Sequence, residues 1–487
     1  IPSTMVSVRT YNYSIVFAVA LGSFTYGFTS AVIGPVFGIP AFFERFGLSY
    51  DGSASIIGGA NGAFAGGGCV GCILLPWLAD RFGRVRAIQV ICTIAAIGAV
   101  VQAASVHIAM FIVGRAVGGI AAGAVNTIIP IYQSEVSPGM ERGRMVGIHG
   151  FILVSGYACA AWSGLGCYFA TNQQMSWRLL CALQAVAPIL LVAVSPWLPE
   201  SPRWLVLADR KEEALNVLIK LHGTEHGIAQ DECSQIYSQI ELEKRGDNRI
   251  ITIFTKPSTR RRFFTAMFVQ FIGQSTGILV TSNYQILLWN NLGVTGWRPL
   301  LLFGIYASWA TFLNWTATRT IDRFGRVRLL TIGIAGGVAM MACFTAMCAV
   351  YSGTPNKVGN TFGILFLYLY VTFYASCFDA TSYVYSSEIF PTHLRAEGVA
   401  AAIFSLFACT LLYTQVAATA FAEVGWKYYL VFVIVPACGL PILARFPETK
   451  GCTLEEIAIL FGDEVAPEVM HLPAEDDHEK SVTVQRL

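Results

Sequence analysis

Apolar residues run through this chain in stretches of about twenty, the length that lets a helix rising 1.5 Å per residue cross a hydrocarbon core of about 30 Å. Twelve such runs stand out: 13–36, 54–79, 86–106, 109–133, 145–169 and 178–198, then 262–288, 299–321, 328–351, 361–387, 396–421 and 426–445. A bilayer offers backbone groups no partners, and the alternation expected of a membrane barrel strand is missing, so the runs predict helices. Between the sixth and seventh runs lies an amphipathic, basic segment, 199–261.

The polar joints repeat. The heptad Asp80-Arg-Phe-Gly-Arg-Val-Arg86 recurs letter for letter as Asp322 to Arg328, each time after the second run of a set of six. Ser134-Glu135 with Arg142 is echoed by Ser387-Glu388 with Arg395, and Pro199-Glu200 by Pro447-Glu448. Asp80 and Asp322 are 242 residues apart, Glu135 and Glu388 253, Glu200 and Glu448 248, so the pairs keep one order and nearly one spacing. This is a duplication of six helices in the same orientation, a pair of parallel repeats. The expected fold class is all-α integral membrane, with twelve transmembrane helices in two six-helix pseudo-symmetric bundles and a cytoplasmic helical linker. The expected units are an N-terminal bundle at 1–198, the linker at 199–261, a C-terminal bundle at 262–445 and a cytoplasmic tail at 446–487.

Composition agrees with a life in lipid: of 487 residues, 55% are hydrophobic and only 13% charged, and the mean hydropathy is +0.58, too apolar for a soluble core with a charged skin. The net charge of +2 identifies no partner, and nothing points to nucleic acid. Lys and Arg set the orientation. The short loops bearing Arg81, Arg84, Arg86, Arg142, Arg144, Arg323, Arg326, Arg328 and Arg395 are assigned to the inside, whereas the opposite loops hold Arg45, Arg178, Arg298, Lys357 and Lys427. Both termini and the linker, which ends in Arg260-Arg261-Arg262, then face the cytoplasm, with the first helix acting as an uncleaved insertion signal. Thirteen cysteines lie mostly inside the runs without regular spacing. Cys69 and Cys72 spell a C-x-x-C, but within "GGGCVGC" close helix packing explains them better than redox chemistry. No His or Cys cluster has metal-ligand spacing, so neither metal nor cofactor is expected.

Six motifs in order carry a resemblance: "DRFGR" twice, "GRAVGG" at 114–119, "PIYQSE" at 130–135, "PESPRWL" at 199–205, "SEIFP" at 387–391 and "PETKG" at 447–451. They are similar to those of the sugar porter family of the major facilitator superfamily, over nearly the whole chain. The resemblance implies a transporter rather than an enzyme: a monomeric multi-pass protein of the plasma membrane that carries a sugar-like small molecule through a central cavity by alternating access. It also implies that Asp80, Arg84, Glu135, Arg142, Glu200 and Arg203, with Asp322, Arg326, Glu388, Arg395 and Glu448, form a gate on the cytoplasmic face where the two bundles meet. Exposed ion pairs contribute about 0–1 kcal/mol each, and such weakness suits contacts broken on every cycle. The alternative is that these charges only fix topology, which does not account for the matched carboxylates.

In the seventh run Gln270, Gln274, Gly277, Thr281 and Gln285 recur at steps of three and four, a polar stripe that faces either a cavity or another helix. The family's sugar contacts are partly kept. Its glutamine pair falls on Gly273 and Gln274, a following asparagine on Leu279, and its tyrosine pair on Asn283 and Tyr284. Other contacts fall on Gly150 beside His149, on Ala310 with Asn314 one turn later, on Tyr383, and on Thr410. Gln274, Thr281, Asn283, Tyr284, Asn314, Tyr383 and Asp379 are therefore the expected substrate-binding residues, and glucose itself does not follow.

Coupling gives conflicting signals. Proton-coupled members resemble one another in an aspartate of the first helix, where this chain reads Gly27-Phe28-Thr29. The arginine that partners that acid is kept as Arg115. Meanwhile the tenth run, where the family has a glycine-proline break, carries Asp379. A carboxylate at that depth is expensive when charged and marks a functional site. Asp379 is a proton carrier, a hydroxyl acceptor or a structural partner, and with Arg115 it forms the candidate coupling set. Facilitated diffusion is the leading expectation and proton symport through Asp379 the alternative. A non-transporting nutrient receptor fits less well, since only 446–487 follow the last run.

Overall fold

A computed structural model describes residues 3–48, 53–137, 142–222, 229–231, 233–234, 236–238, 256–351, 354, 356–391, 394–452 and 454–463. The first half comprises α1 (Ser3–Ala31), α2 (Ile33–Phe37), α3 (Pro40–Phe46), α4 (Ala54–Phe82), α5 (Arg84–Ala103), α6 (Ile108–Val136), α7 (Arg142–Tyr168), α8 (Gln173–Leu183) and α9 (Val186–Val194). Two short helices follow, α10 (Pro202–Leu207) and α11 (Lys211–His222). The second half comprises α12 (Pro257–Ser275), α13 (Ile278–Asn291), α14 (Arg298–Phe324), α15 (Arg326–Tyr351), α16 (Lys357–Phe373), α17 (Asp379–Glu388), α18 (Arg395–Glu423) and α19 (Tyr429–Leu443). A last helix, α20 (Leu454–Phe461), packs at the foot of α12.

Eleven helical segments of the described residues are long and apolar enough to cross a membrane. The twelfth expected span is α14, which has the length, 27 residues. It is less apolar because Thr311, Asn314, Thr316, Thr318, Arg319 and Thr320 interrupt its hydrophobic positions. Several expected single runs are broken helices. The seventh divides at Gly277, whose φ of +82° suits a residue without Cβ. The tenth passes from α16 through a π turn at Tyr374–Phe378 into α17. That wide turn stands where a glycine-proline break was expected, and it re-aims the residue that follows it, Asp379.

Within the first half α4 packs against α5 and α6, and α1 against α7. A Cβ on Gly67, Gly71, Gly119 or Gly123 would run into the backbone of the facing helix, so the glycines of "GGGCVGC" set the α4–α6 distance. Cys69 and Cys72 are both free thiols, and Cys72 is buried against Gly123 and Thr127. Among the described residues the halves meet chiefly along three seams. Along the first, α4 lies against α18, with Gly66 facing Leu411. The second joins α7 to α14, where Trp162 Nε1 donates to Ser308 Oγ at 2.9 Å and Thr311 Oγ1 to the Val154 carbonyl at 3.2 Å. The third joins α2 to α13: a Cβ on Gly34 would lie 3.2 Å from the Ser282 carbonyl, and one on Gly38 2.9 Å from Ile286 Cδ1. This last contact lies at the end of the bundle away from the charged heptads.

Candidate substrate cavity and charged clusters

Between the halves, at mid-depth, is a cavity whose empty space, counting the solvent it opens to, is about 730 Å³. The first half contributes Tyr26 of α1 and Leu153, Val154 and Tyr157 of α7. The second contributes Gln270 and Gln274 of α12, then Ile278, Leu279 and Ser282 of α13, with Phe303, Tyr306, Ala307 and Ala310 of α14. Tyr374, Asp379, Ser382 and Tyr383 come from the π turn and α17.

Of the expected substrate-binding residues, Gln274, Tyr383 and Asp379 lie on this wall, whereas Thr281, Asn283, Tyr284 and Asn314 do not. The reason is the break at Gly277. An unbroken helix would carry the stripe of Gln270 and Gln274 on to Thr281 and Gln285, but the turn rotates α13 so that Ile278, Leu279 and Ser282 face inward. Tyr284 instead donates to the Thr414 carbonyl of α18 at 2.9 Å, and Thr281 Oγ1 turns back to the Ile278 carbonyl. Asn314 stands behind the wall and donates to Asp379 Oδ2 at 2.6 Å, which holds the carboxylate toward the cavity. Tyr383 crosses the seam: its hydroxyl accepts from Asn126 Nδ2 at 3.4 Å, and its ring meets His149 edge-on. Two amide atoms on or beside the wall, Gln270 Nε2 and Gln274 Oε1, are buried with no hydrogen-bond partner.

The two members of the expected coupling set are not brought together. Arg115 is fully buried off the cavity wall, where Nη1 donates to the Thr29 carbonyl at 2.9 Å and the guanidinium lies 4.2 Å from the Phe64 ring centroid. Its Nε and Nη2 have no partner. The place where a first-helix carboxylate would meet it is taken by a threonine.

At the heptads the duplication is visible in three dimensions. Gly83 ends α4 and opens α5 at φ +93°, and Gly325 does the same between α14 and α15 at φ +94°. The carboxylate of Glu200 accepts the backbone N–H of Arg84 at 2.9 Å and of Val85 at 3.3 Å; that of Glu448 accepts Arg326 N at 2.7 Å and Val327 N at 3.0 Å. Each thereby satisfies the free donors of a helix start, where the helix dipole also favours a negative charge. Burial holds the Glu200 carboxyl above the usual glutamate range, against the downward pull of the Ser201, Val85 and Arg84 N–H groups. The Arg84 guanidinium pairs with Glu135 at 3.1 Å and Asp80 at 3.3 Å, and that of Arg326 with Glu388 at 2.9 Å. Each of these pairs joins helix ends of one half. The side chains of Arg142 and Asp322 lie outside the described residues. Arg203 is in the first turn of α10, beside this cluster in sequence, and Arg395 is the first residue of α18.

The sequence reading gave no role to Tyr132 and Tyr385, each three residues before a cluster glutamate. Their hydroxyls donate to the carbonyls of Pro199 and Pro447. The shared three-residue offset from Glu135 and Glu388 was the available signal. Nor did it single out Tyr26, Tyr157, Tyr306 and Tyr374, which sit among apolar neighbours and look like core in a linear string.

The model for the family "Sugar (and other) transporter" matches residues 15–461. The chain is 31% identical over 448 residues to the MFS-type transporter criB of Aspergillus cristatus, covering 91% of this chain and 92% of that one. It is 28% identical over 479 residues to a high-affinity glucose transporter of Kluyveromyces lactis, covering 93% and 86%. Its fold is similar to that of the proton:xylose symporter XylE bound to 6-bromo-6-deoxy-D-glucose, with a TM-score of 0.79 at 22% identity over 93% of this chain and 99% of that one. Those relatives are transporters, not enzymes. By its twelve-helix fold and the family match over most of its length, the chain belongs to the sugar (and other) transporter family of the major facilitator superfamily.

Proposed function

We propose that this protein carries a small hydroxylated solute, a sugar or a related polyol, across a membrane by alternating access, and that it equilibrates the solute rather than concentrating it. One observation carries the reading: a mid-depth cavity at the seam of two duplicated halves, with the amides of Gln270 and Gln274 turned toward it. Amides supply both a donor and an acceptor, which suits a ligand with several hydroxyls. Equilibration follows from Thr29: Arg115 has a backbone carbonyl as its partner there, and a threonine does not titrate. The names of the glucose and xylose transporters fit this substrate class. Both termini and the linker face the cytoplasm in this reading, the membrane is the plasma membrane, and a monomer suffices because each chain holds a whole cavity.

A second reading, proton symport, rests on Asp379, a carboxylate on the cavity wall that accepts a hydrogen bond from the neutral amide of Asn314. Uptake by the purified full chain in liposomes separates the two. Facilitation requires that labelled solute reach the outside concentration and no more when an inward proton gradient is imposed, and that Asp379→Asn alter affinity while leaving pH dependence alone. Accumulation above the outside level, lost in Asp379→Asn while solute exchange persists, would establish symport.

A further inference from the structure

The wall of the cavity is not that of a polyol site alone. Leu153, Val154, Ile278, Leu279, Phe303 and Ala310 present carbon to the ligand, and a sugar hydroxyl pressed against carbon loses water without gaining a partner. The polar groups are concentrated elsewhere. Tyr26 and Tyr157 from one half and Tyr374 and Tyr383 from the other line the same cavity as Asp379. Among the described residues no Lys, Arg or His lines it. Asn314 satisfies one carboxylate oxygen, with a neutral donor. Arg115, the cation that the sequence set beside Asp379, lies off this wall with Nη1 on the Thr29 carbonyl.

A half-buried carboxylate on a cavity wall at membrane depth is most stable when a positive group pairs with it. Tyrosine faces attract cations through the ring quadrupole, and cages of aromatic rings recognise ammonium groups. Resting on the transport reading above, we infer that the solute is a hydroxylated amine, whose ammonium pairs with Asp379 among the four tyrosines while its hydroxyl or other neutral polar end meets Gln270 and Gln274. The carbon-lined remainder of the wall takes its apolar body. The loaded cavity is then electrically neutral, which lets the halves rock without carrying a bare charge across a region of low dielectric.

Matched probes test this: D-glucosamine against D-glucose, and tyramine against 2-(4-hydroxyphenyl)ethanol, each pair differing in an ammonium. Binding to the purified full chain is measured by equilibrium dialysis. The assignment predicts that at least one ammonium probe binds at least about tenfold more tightly than its neutral partner, the effect of a charge-assisted hydrogen bond. The preference should vanish in Asp379→Asn and survive in Asp379→Glu, which keeps the charge; the thermal melt of each variant shows that it is folded. Equal or tighter binding of the neutral partners, no binding of either amine, or a preference that persists in folded Asp379→Asn overturns it. Liposome uptake distinguishes this failure from that of the transport reading. Neutral sugars filling the lumen with no preference for amines would remove the amine and keep transport. Amine binding that never fills the lumen would keep the amine and remove transport.

Discussion

Gln274 meets the cavity because it sits on the last turn of α12, just before the helix breaks. Removing an amide that hydrogen-bonds a ligand costs about 1–2 kcal/mol, or roughly 5- to 30-fold in affinity. Gln274→Ala should show that loss in titrations with the transported compound, and a variant that binds as well as the parent would remove Gln274 from the site. Thr29 offers a second test. Arg115 is a fully buried cation with two unpartnered nitrogens, and losing one partner of a buried pair typically costs about 3–5 kcal/mol. Thr29→Asp restores a carboxylate beside it and should raise the melting temperature of the purified protein. An unchanged or lower melting temperature would mean that Arg115 is already compensated. Gln274 and Asp379 were legible because polar residues are rare enough in a membrane span to stand out, and Tyr383 only through the family resemblance. The other tyrosines were not, since a ring that lines a cavity and a ring that fills a core look alike in a string of apolar letters.

At the scale of elements, the joints between helices were more legible than the helices' interruptions. A repeated heptad with a glycine in the middle announces a turn, and the structure gives Gly83 and Gly325 nearly the same backbone, φ +93° and +94°. At both places a Cβ would also press on the capping carboxylate, 2.5 Å from Glu200 Oε2 and 2.8 Å from Glu448 Oε2. Non-glycine residues in that region of backbone space cost about 1–3 kcal/mol. Gly83→Ala and Gly325→Ala should each lower stability by that order, and because the joints belong to different halves the double variant should lose close to the sum. Thermal unfolding of the three variants is the check, and a tolerated alanine at either joint would contradict the capping geometry. The break at Gly277 was hidden because a 3.6-residue period carries on across the gap in the letters. The chain reverses its φ there, and three expected contacts on the rotated α13, Thr281, Asn283 and Tyr284, lie off the cavity wall as a result; the fourth, Asn314 of α14, stands behind Asp379.

For the whole molecule, the duplication did most to define the architecture, since identical joints at nearly equal spacing require two halves of one orientation. What a linear sequence could not supply is which charges meet across space. The Arg84 and Arg326 clusters each tie together the helix ends of one half, and we propose that they keep those ends rigid enough to close one mouth of the cavity against the other half. If the protein works by alternating access, the accessibility of Ser282 on the cavity wall changes from one face to the other. Ser282→Cys, in a background without other reactive thiols, is treated with a membrane-impermeant thiol reagent from either face of sealed vesicles. The account predicts labelling from both faces, with Arg84→Ala and Arg326→Ala raising the rate from the heptad face and lowering it from the opposite one. Labelling from a single face, or rates from both faces unmoved by the two substitutions, would contradict it.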